Sequence, residues 1–495
     1  MQRHASDGAT EFRFSRMCPE VRGSQLKDST IRQLAIVMAE GGGGQSQVPA
    51  GFTYLGQFVA HDMSFEAPDP SPDAIPSPDL LVQLRSPSLD LDSLYGLGPE
   101  DHASERFYAP DRIHLNIGST IATDGVPALN GFDLPRGDGV EIEERRQAII
   151  PDKRNDENLA VAQTHVAFIR FHNRIVDELP DSVADPFGRA RELVTKHYQW
   201  MVRTDFLPRV CEPSILDDVF DNGRKAFEVD VEPTDPPTMP FEFSMAAFRF
   251  GHSMLRTNYS WNTHFEDGAM GLPKLFRFSA KSGDLGGGVR LPSTAIADFR
   301  RMYDFPGRSG IAIEDQKVNH AMLINTSLIG RVANLPSAAF ERPKVVEPGD
   351  PIANLAFHDL KRAKRRNLAT GQQMAEFLDD QGVRLTPLSE RDILKGRNGG
   401  ARLGRLSRAD REAVATRTPL WFYILREAEL HGGVLNGVGA QIVAETFHRA
   451  IQGSRESIVR DTAWRPTLGP DGSTFRMADL LLHAYDDGKT LAPPA

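Results

Sequence analysis

The sequence predicts a mainly α-helical protein, one large domain with little β-structure. Three observations carry this. Apolar residues recur at helical spacing in several long runs. Strand signals are few and short. No composition break is sharp enough to divide the 495-residue chain, and no internal repeat is visible.

The elements follow in order. Residues 1–50 are polar and end in GGGGQSQ (Gly41 to Gln47), which predicts a wrapping arm and flexible loop before a domain spanning 51–495. A helix is expected over Gly51–Phe65, followed by a proline-rich linker, APDPSPDAIPSPD (Ala67 to Asp79). Arg85 to Gly98 is loop-like with alternating aspartates. Leu159, Val161, Val166, Ile169 and Ile175 define a helix over Asn158–Leu179, closed by Pro180. Further helices are expected at Pro186–Phe206, Phe243–Arg256 and near Val318–Arg331. The remaining ones are Ile352–Arg365, Thr370–Asp380, Arg408–Glu429, Val438–Gln452 and Met477–Tyr485.

The composition, 40% apolar and 25% charged, is that of a soluble globular protein. A net charge of -10 lacks the basic footprint of a nucleic-acid binder. No run approaches the ~18 apolar residues needed to span a bilayer. The N-terminus MQRHASDGATEFRF has no apolar signal region, so a cytoplasmic location is expected, with signal-independent export left open. Cys18 and Cys211 allow one bridge or two reduced thiols, and no cysteine-rich metal site.

Chemistry concentrates in a few motifs. In GFTYLGQFVAHDMSF, Gln57 and His61 stand at i and i+4, so an amide and an imidazole share one helix face. A second histidine, His252, occurs in FRFGHSM, and KRNDEN (Lys153 to Asn158) lies between them. The set points to a redox-active haem between two histidine-bearing helices. The other histidines of the 14, including His165 and His172, read as structural hydrogen-bonding residues.

GQFVAHD, KRNDEN with LAVAQTHVAFIRFHNR, FRFGHSM and LAFHDLKRAKRRNLATGQQM occur in the order found in animal-type haem peroxidases. TPLWFYILREAE and VGAQIVAETF resemble the C-terminal core helices of that superfamily, so the likeness covers roughly residues 50 to 485; a bacterial-type branch is expected.

The resemblance implies a peroxidase that reduces hydrogen peroxide through a ferryl intermediate and oxidises small organic donors or halides. His252 resembles the proximal iron ligand and Arg249 a partner of a haem propionate. His61 resembles the distal base, Gln57 its partner, and Arg154 the distal arginine. Chemistry asks for such a trio: one neutral imidazole moves the peroxide proton, and a fixed cation offsets charge on the departing oxygen.

The chain also departs from the family. Asp359 stands where mammalian enzymes carry an asparagine against the proximal imidazole. A carboxylate there lowers the iron potential, which favours phenols, iodide or bromide over chloride. Alternatively, Asp359 pairs with Arg362 or a neighbour in the KRAKRR run, a run read as part solvated face and part propionate support. Of the two haem ester positions, the first is Ala60, which cannot form one, and the second is Glu157. Haem b is therefore expected to be non-covalent or singly linked through Glu157. Asp62 resembles a calcium ligand of the family, with Ser86, the Ser88 carbonyl, Asp90 and Asp92 completing an oxygen shell. The same residues are also compatible with a plain acidic turn.

Two other functions share parts of this pattern. A fatty-acid dioxygenase would need a radical-forming tyrosine three residues before His252, where this chain has Arg249. A non-catalytic haem-binding or adhesive protein would not require Gln57, His61, Arg154 and His252 together.

Overall fold

The computed structural model describes residues 12–19, 21, 23, 25–40, 43–66, 81–308, 310–335, 353–397 and 399–492. The proline-rich linker expected at Ala67–Asp79, and Ile352, lie outside them. Within them the fold is mainly helical, and its strands form only short two- and three-stranded ladders.

The centre is the Gly51–Met63 helix. Only Gly56, Gln57 and Ala60 along it are partly exposed, so packing rather than amphipathicity holds it. Its start has no side-chain cap; Gly51 N–H bonds to the Met302 carbonyl at 2.7 Å instead. A Cβ at Gly51 would lie 2.4 Å from the Tyr303 ring, so only glycine permits this approach. The Leu159–Glu178 helix packs beside it, Phe58 stacking on Phe168 at 4.5 Å. Asn158 caps that second helix by accepting from Val161 N–H, and Leu179 leaves the helical region ahead of Pro180.

Helices Leu420–Leu430 and Gly437–Gln452 form the other side of the core. Between the two sides runs Ala247–Met254, which packs against both Gly51–Met63 and Leu420–Leu430.

Several elements differ from expectation. His252 does not sit on an α-helix over Phe243–Arg256. A short α-turn, Phe241–Ser244, breaks at Ala246, and Ala247–Met254 continues as a 3-10 helix. The segment near Val318–Arg331 is not helical: His320–Met322 is a strand paired with Gln45–Pro49, and Gly330–Asn334 is a 3-10 turn. Pro419 divides the expected Arg408–Glu429 helix into Arg408–Thr416 and Leu420–Leu430. The Pro186–Met201 helix passes into a π-helical turn at Val202–Phe206, which carries Phe206 against Gly56 and Phe248. The N-terminal region is more than a loose arm. Phe12–Ser15 pairs with two other strands, and Asp28–Met38 packs on Leu355–Arg365 with Ile31, Leu34 and Met38 buried.

Candidate active site

The two histidines singled out in the sequence are wired differently. His61 is 8% exposed. Its Nδ1–H donates to Asn155 Oδ1 at 2.8 Å, and Asn155 Nδ2 donates to His165 Nδ1 at 3.0 Å. His61 Nε2 has no hydrogen-bond partner among the described residues. Burial first, then the Arg154 charge, lower its pKa to about 3. The ring is therefore neutral at pH 7, with a lone pair on Nε2.

Gln57, one turn earlier, is oriented from both ends of its amide. Its Nε2 donates to Glu157 Oε1 at 2.6 Å, and its Oε1 accepts from Asn158 Nδ2 at 2.9 Å. The Glu157 carboxylate thus already has a role in the protein, independent of any ester.

Arg154 is turned toward the end of the helix. Nε and Nη2 form a fork on Asp152 at 3.0 and 2.7 Å, and Nη2 also donates to the His61 carbonyl at 2.9 Å. Arg85 reaches the same carboxylate, and together the two arginines hold Asp152 far below the usual carboxylate range despite its burial. Arg154 thus shares Asp152 with Arg85, anchors the main chain of His61, and still acts on the His61 ring through its charge.

His252 keeps 30% of its side chain exposed. Its Nδ1–H donates to Asp359 Oδ2 at 2.6 Å, leaving Nε2 without a partner among the described residues. Arg249 Nη1 donates to Asp359 Oδ1 at 2.9 Å and Nε to the Ser244 carbonyl at 3.0 Å. Burial pushes Asp359 up, but His252 and Arg249 outweigh it and the carboxyl ends below its ordinary pKa. Arg249 thus serves Asp359 with one nitrogen, rather than being held wholly for a propionate. Arg362 does not take Asp359; it lies 3.7 Å from Glu66, which Arg366 also pairs.

These donors fit haem. An imidazole with one nitrogen bonded to a carboxylate and the other free is set up to bind iron. Partial exposure of Gly56, Gln57 and Ala60, and of Phe248, Arg249, Gly251 and His252, gives two otherwise buried segments an open face. No side chain fills the space at Gly251, where a Cβ would meet nothing within 4 Å.

The residues expected to hold calcium are only partly assembled. Burial and then the Asp92 charge push Asp62 up to about 7, and the same causes raise Asp90 to about 7; burial raises Asp92. These carboxylates are close enough to repel one another, and oxygen donors suit a hard cation. Yet among the described residues no group of three or more His, Cys, Asp or Glu is arranged to hold a metal ion. Asp62 is occupied by Leu91 N–H and by the N–H and hydroxyl of Ser93, at 3.1–3.2 Å. Ser86 Oγ accepts from Ser88 N–H at 3.2 Å. Amide and hydroxyl donors thus occupy Asp62 and Ser86 in this structure and tie the acidic loop to the end of the Gly51–Met63 helix.

The sequence alone assigns no role to Asn155, Asp152 or Arg85, and marks His165 as a structural hydrogen-bonding residue without linking it to His61. Asp152 and Asn155 flank Arg154 closely enough to have been noticed, whereas nothing in spacing ties His165 to His61.

A family model described as animal haem peroxidase matches residues 78–282. The chain is 33% identical over 127 residues to a peroxidase-like protein of Margaritifera margaritifera, 25% of this chain and 15% of that protein. It is 26% identical over 188 residues to thyroid peroxidase of Rattus norvegicus, 36% of this chain and 20% of that protein. The matched segments thus span a fifth or less of these relatives. Among solved structures, peroxidase A of Dictyostelium discoideum superposes with a TM-score of 0.61 at 15% identity, covering 98% of this chain and 94% of that one. A fatty acid alpha-dioxygenase of Oryza sativa, solved with palmitic acid, gives 0.59 at 14% identity, covering 95% and 81%. At such identities these two establish the fold alone.

Proposed function

Because the chain belongs to the animal-type haem peroxidase superfamily, we propose that it uses hydrogen peroxide to oxidise small phenolic donors, iodide or bromide. The observation that carries this reading is the contrast between the two imidazoles: Nδ1 of His252 meets a carboxylate, whereas Nδ1 of His61 meets a neutral amide. The first arrangement makes a strong metal ligand, the second a proton carrier.

Bound haem supplies the iron at which peroxide is reduced and to which donors return electrons. The residues of the chain do the rest. His252, oriented by Asp359, would hold the iron through Nε2. His61 Nε2 accepts the proton of incoming peroxide and returns it to the departing oxygen, worth on the order of 10²–10⁴ in rate. Gln57, clamped by Glu157 and Asn158, presents a fixed amide beside that path. A carboxylate such as Asp359 on the ligand imidazole would lower the potential of bound iron and so favour easily oxidised donors over chloride. Calcium, held at the crowded carboxylates of Asp62, Asp90 and Asp92, would tie the end of the Gly51–Met63 helix to the 86–96 loop.

The dioxygenase fold likeness keeps one other reading in view. Arg249 stands where that chemistry needs a tyrosine, and a guanidinium forms no comparable radical. Haem-loaded protein should show a Soret band that shifts with peroxide, and should turn over guaiacol or iodide; His61→Ala should abolish both responses. Oxygen uptake with a fatty acid, and no peroxide-dependent turnover, would overturn the proposal.

A further inference from the structure

We propose that Asn155 and His165 form a buried relay that fixes the tautomer and ring plane of His61, making both of them positioning residues for peroxide proton transfer. The proposal rests on the peroxidase reading of the site and adds to it how the base is kept in its working form.

Neutral imidazole has two tautomers, and only the one with hydrogen on Nδ1 leaves Nε2 free to accept a proton. His61 Nδ1 faces a carbonyl oxygen, Asn155 Oδ1, at 2.8 Å, and against such an atom it can only donate. The assignment then depends on what prevents the amide from turning over. Asn155 is fully buried, so an amide N–H left there without a partner would be disfavoured. Its Nδ2 is aimed at His165 Nδ1, 3.0 Å away, which accepts. Reversing the amide would require His165 to donate, so both imidazoles would have to change tautomer together.

His165 is itself 1% exposed and held edge-on by Phe58, 5.8 Å between centroids, and Phe58 is stacked on Phe168. From the main-chain side, Arg154 grips the His61 carbonyl while forked to Asp152. The ring of His61 is thus set from its side chain and its backbone at once. With hydrogen on Nε2 instead, it would present a donor to peroxide and could not take its proton.

The test uses the full chain and four variants. Asn155→Leu removes the relay at similar size, and Asn155→Asp keeps an acceptor for His61. His165→Phe removes the acceptor, and His165→Asn keeps an acceptor near the position of Nδ1. Imidazole ¹⁵N spectra, on haem-free protein and on its diamagnetic ferrous carbon monoxide form, report the tautomer of His61. Cyanide association with the ferric protein supplies a second readout, because hydrogen cyanide must lose its proton to the same nitrogen. Wild type, Asn155→Asp and His165→Asn should show the Nδ1–H form, with cyanide association within about threefold of one another. Asn155→Leu and His165→Phe should mix tautomers and bind cyanide at least roughly tenfold more slowly at equal haem content. Wild-type tautomer and cyanide rate in Asn155→Leu would overturn the relay, and so would Asn155→Asp being as impaired as Asn155→Leu. The ¹⁵N readout needs no haem. A wild-type chain that takes up none would therefore sink the peroxidase reading while the relay is still decided.

Discussion

His252 donates to Asp359 across 2.6 Å, and the other oxygen of the same carboxylate is taken by Arg249 at 2.9 Å. Asp359 therefore shares its charge between the imidazole and a guanidinium, and its push on a metal bound at Nε2 would be set by the balance. A charge-assisted hydrogen bond is worth about 1.5–3 kcal/mol. If half of that distinguishes ferric from ferrous iron, Asp359→Asn should raise the reduction potential by roughly 30–60 mV, using ~59 mV per 1.4 kcal/mol for one electron. Arg249→Leu should shift it the opposite way. Spectroelectrochemical titration of the haem-loaded variants measures both, and an unchanged potential in Asp359→Asn would remove the basis for the donor preference.

The acidity of His61 yields a pH prediction. Burial, with Arg154 next, depresses its pKa from 6.5 to about 3. The working form of a base is the unprotonated one, so depression extends activity toward acid. The bimolecular rate with peroxide should be flat from about pH 5 to 8 and fall only as pH approaches 3. Stopped-flow rates across that range check it. An inflection near 6.5 would mean that the ring is solvated and ordinary.

Part of this site was legible in the sequence, and the missing part has physical reasons. The Gly51–Met63 and Leu159–Glu178 helices were readable because one is a long apolar run and the other is capped by Asn158 and stopped before Pro180. Gln57 and His61 were readable because helical spacing puts them on one face. Ala247–Met254 is different: its apolar residues fit a helix, but the break at Ala246 and the 3-10 geometry come from wedging between two core helices. The apolar spacing of Ala321, Ile324 and Leu328 likewise suits a helix, yet pairing with Gln45–Pro49 draws the start of that segment out as a strand. The relay was invisible for another reason. Asn155 lies in a short turn and His165 in a helix, so no single periodicity connects them.

The acidic loop makes a linked prediction. Without a cation, native Asp62 and Asp90 keep their protons up to about pH 7, whereas the unfolded chain releases them near 3.8. The folded state then binds more protons between those values, so this cluster costs stability as pH rises through 7. Calcium would replace those protons and reverse the trend. Melting temperature should fall between pH 6 and 8 in chelator but not in millimolar calcium, and calcium binding at pH 6 should release protons. Scanning calorimetry at the two pH values, with and without chelator, decides it. Identical melting in both would favour the plain acidic turn.

The Leu420–Leu430 helix supports the segment that carries His252. Arg426 and Glu429 form an ion pair with no side-chain exposure, Nη1 to Oε1 at 2.5 Å. Glu429 also accepts from Arg397 N–H at 2.6 Å and Thr326 Oγ at 2.5 Å, so its charge is fully spoken for. The loop crosses so tightly that a Cβ at Gly400 would lie 1.9 Å from Glu429 Oε2. Removing one partner strands the other in the core, at about 3–5 kcal/mol, whereas replacing both with apolar residues of similar volume is often neutral. Glu429→Gln should therefore lower stability strongly and Arg426→Met/Glu429→Leu much less, as read by urea denaturation. The same helix carries Trp421, whose indole N–H meets the Arg249 carbonyl at 3.3 Å. Haem content should accordingly fall in Glu429→Gln and recover in the double variant; equal loss in both would place the damage in packing rather than in the stranded charge.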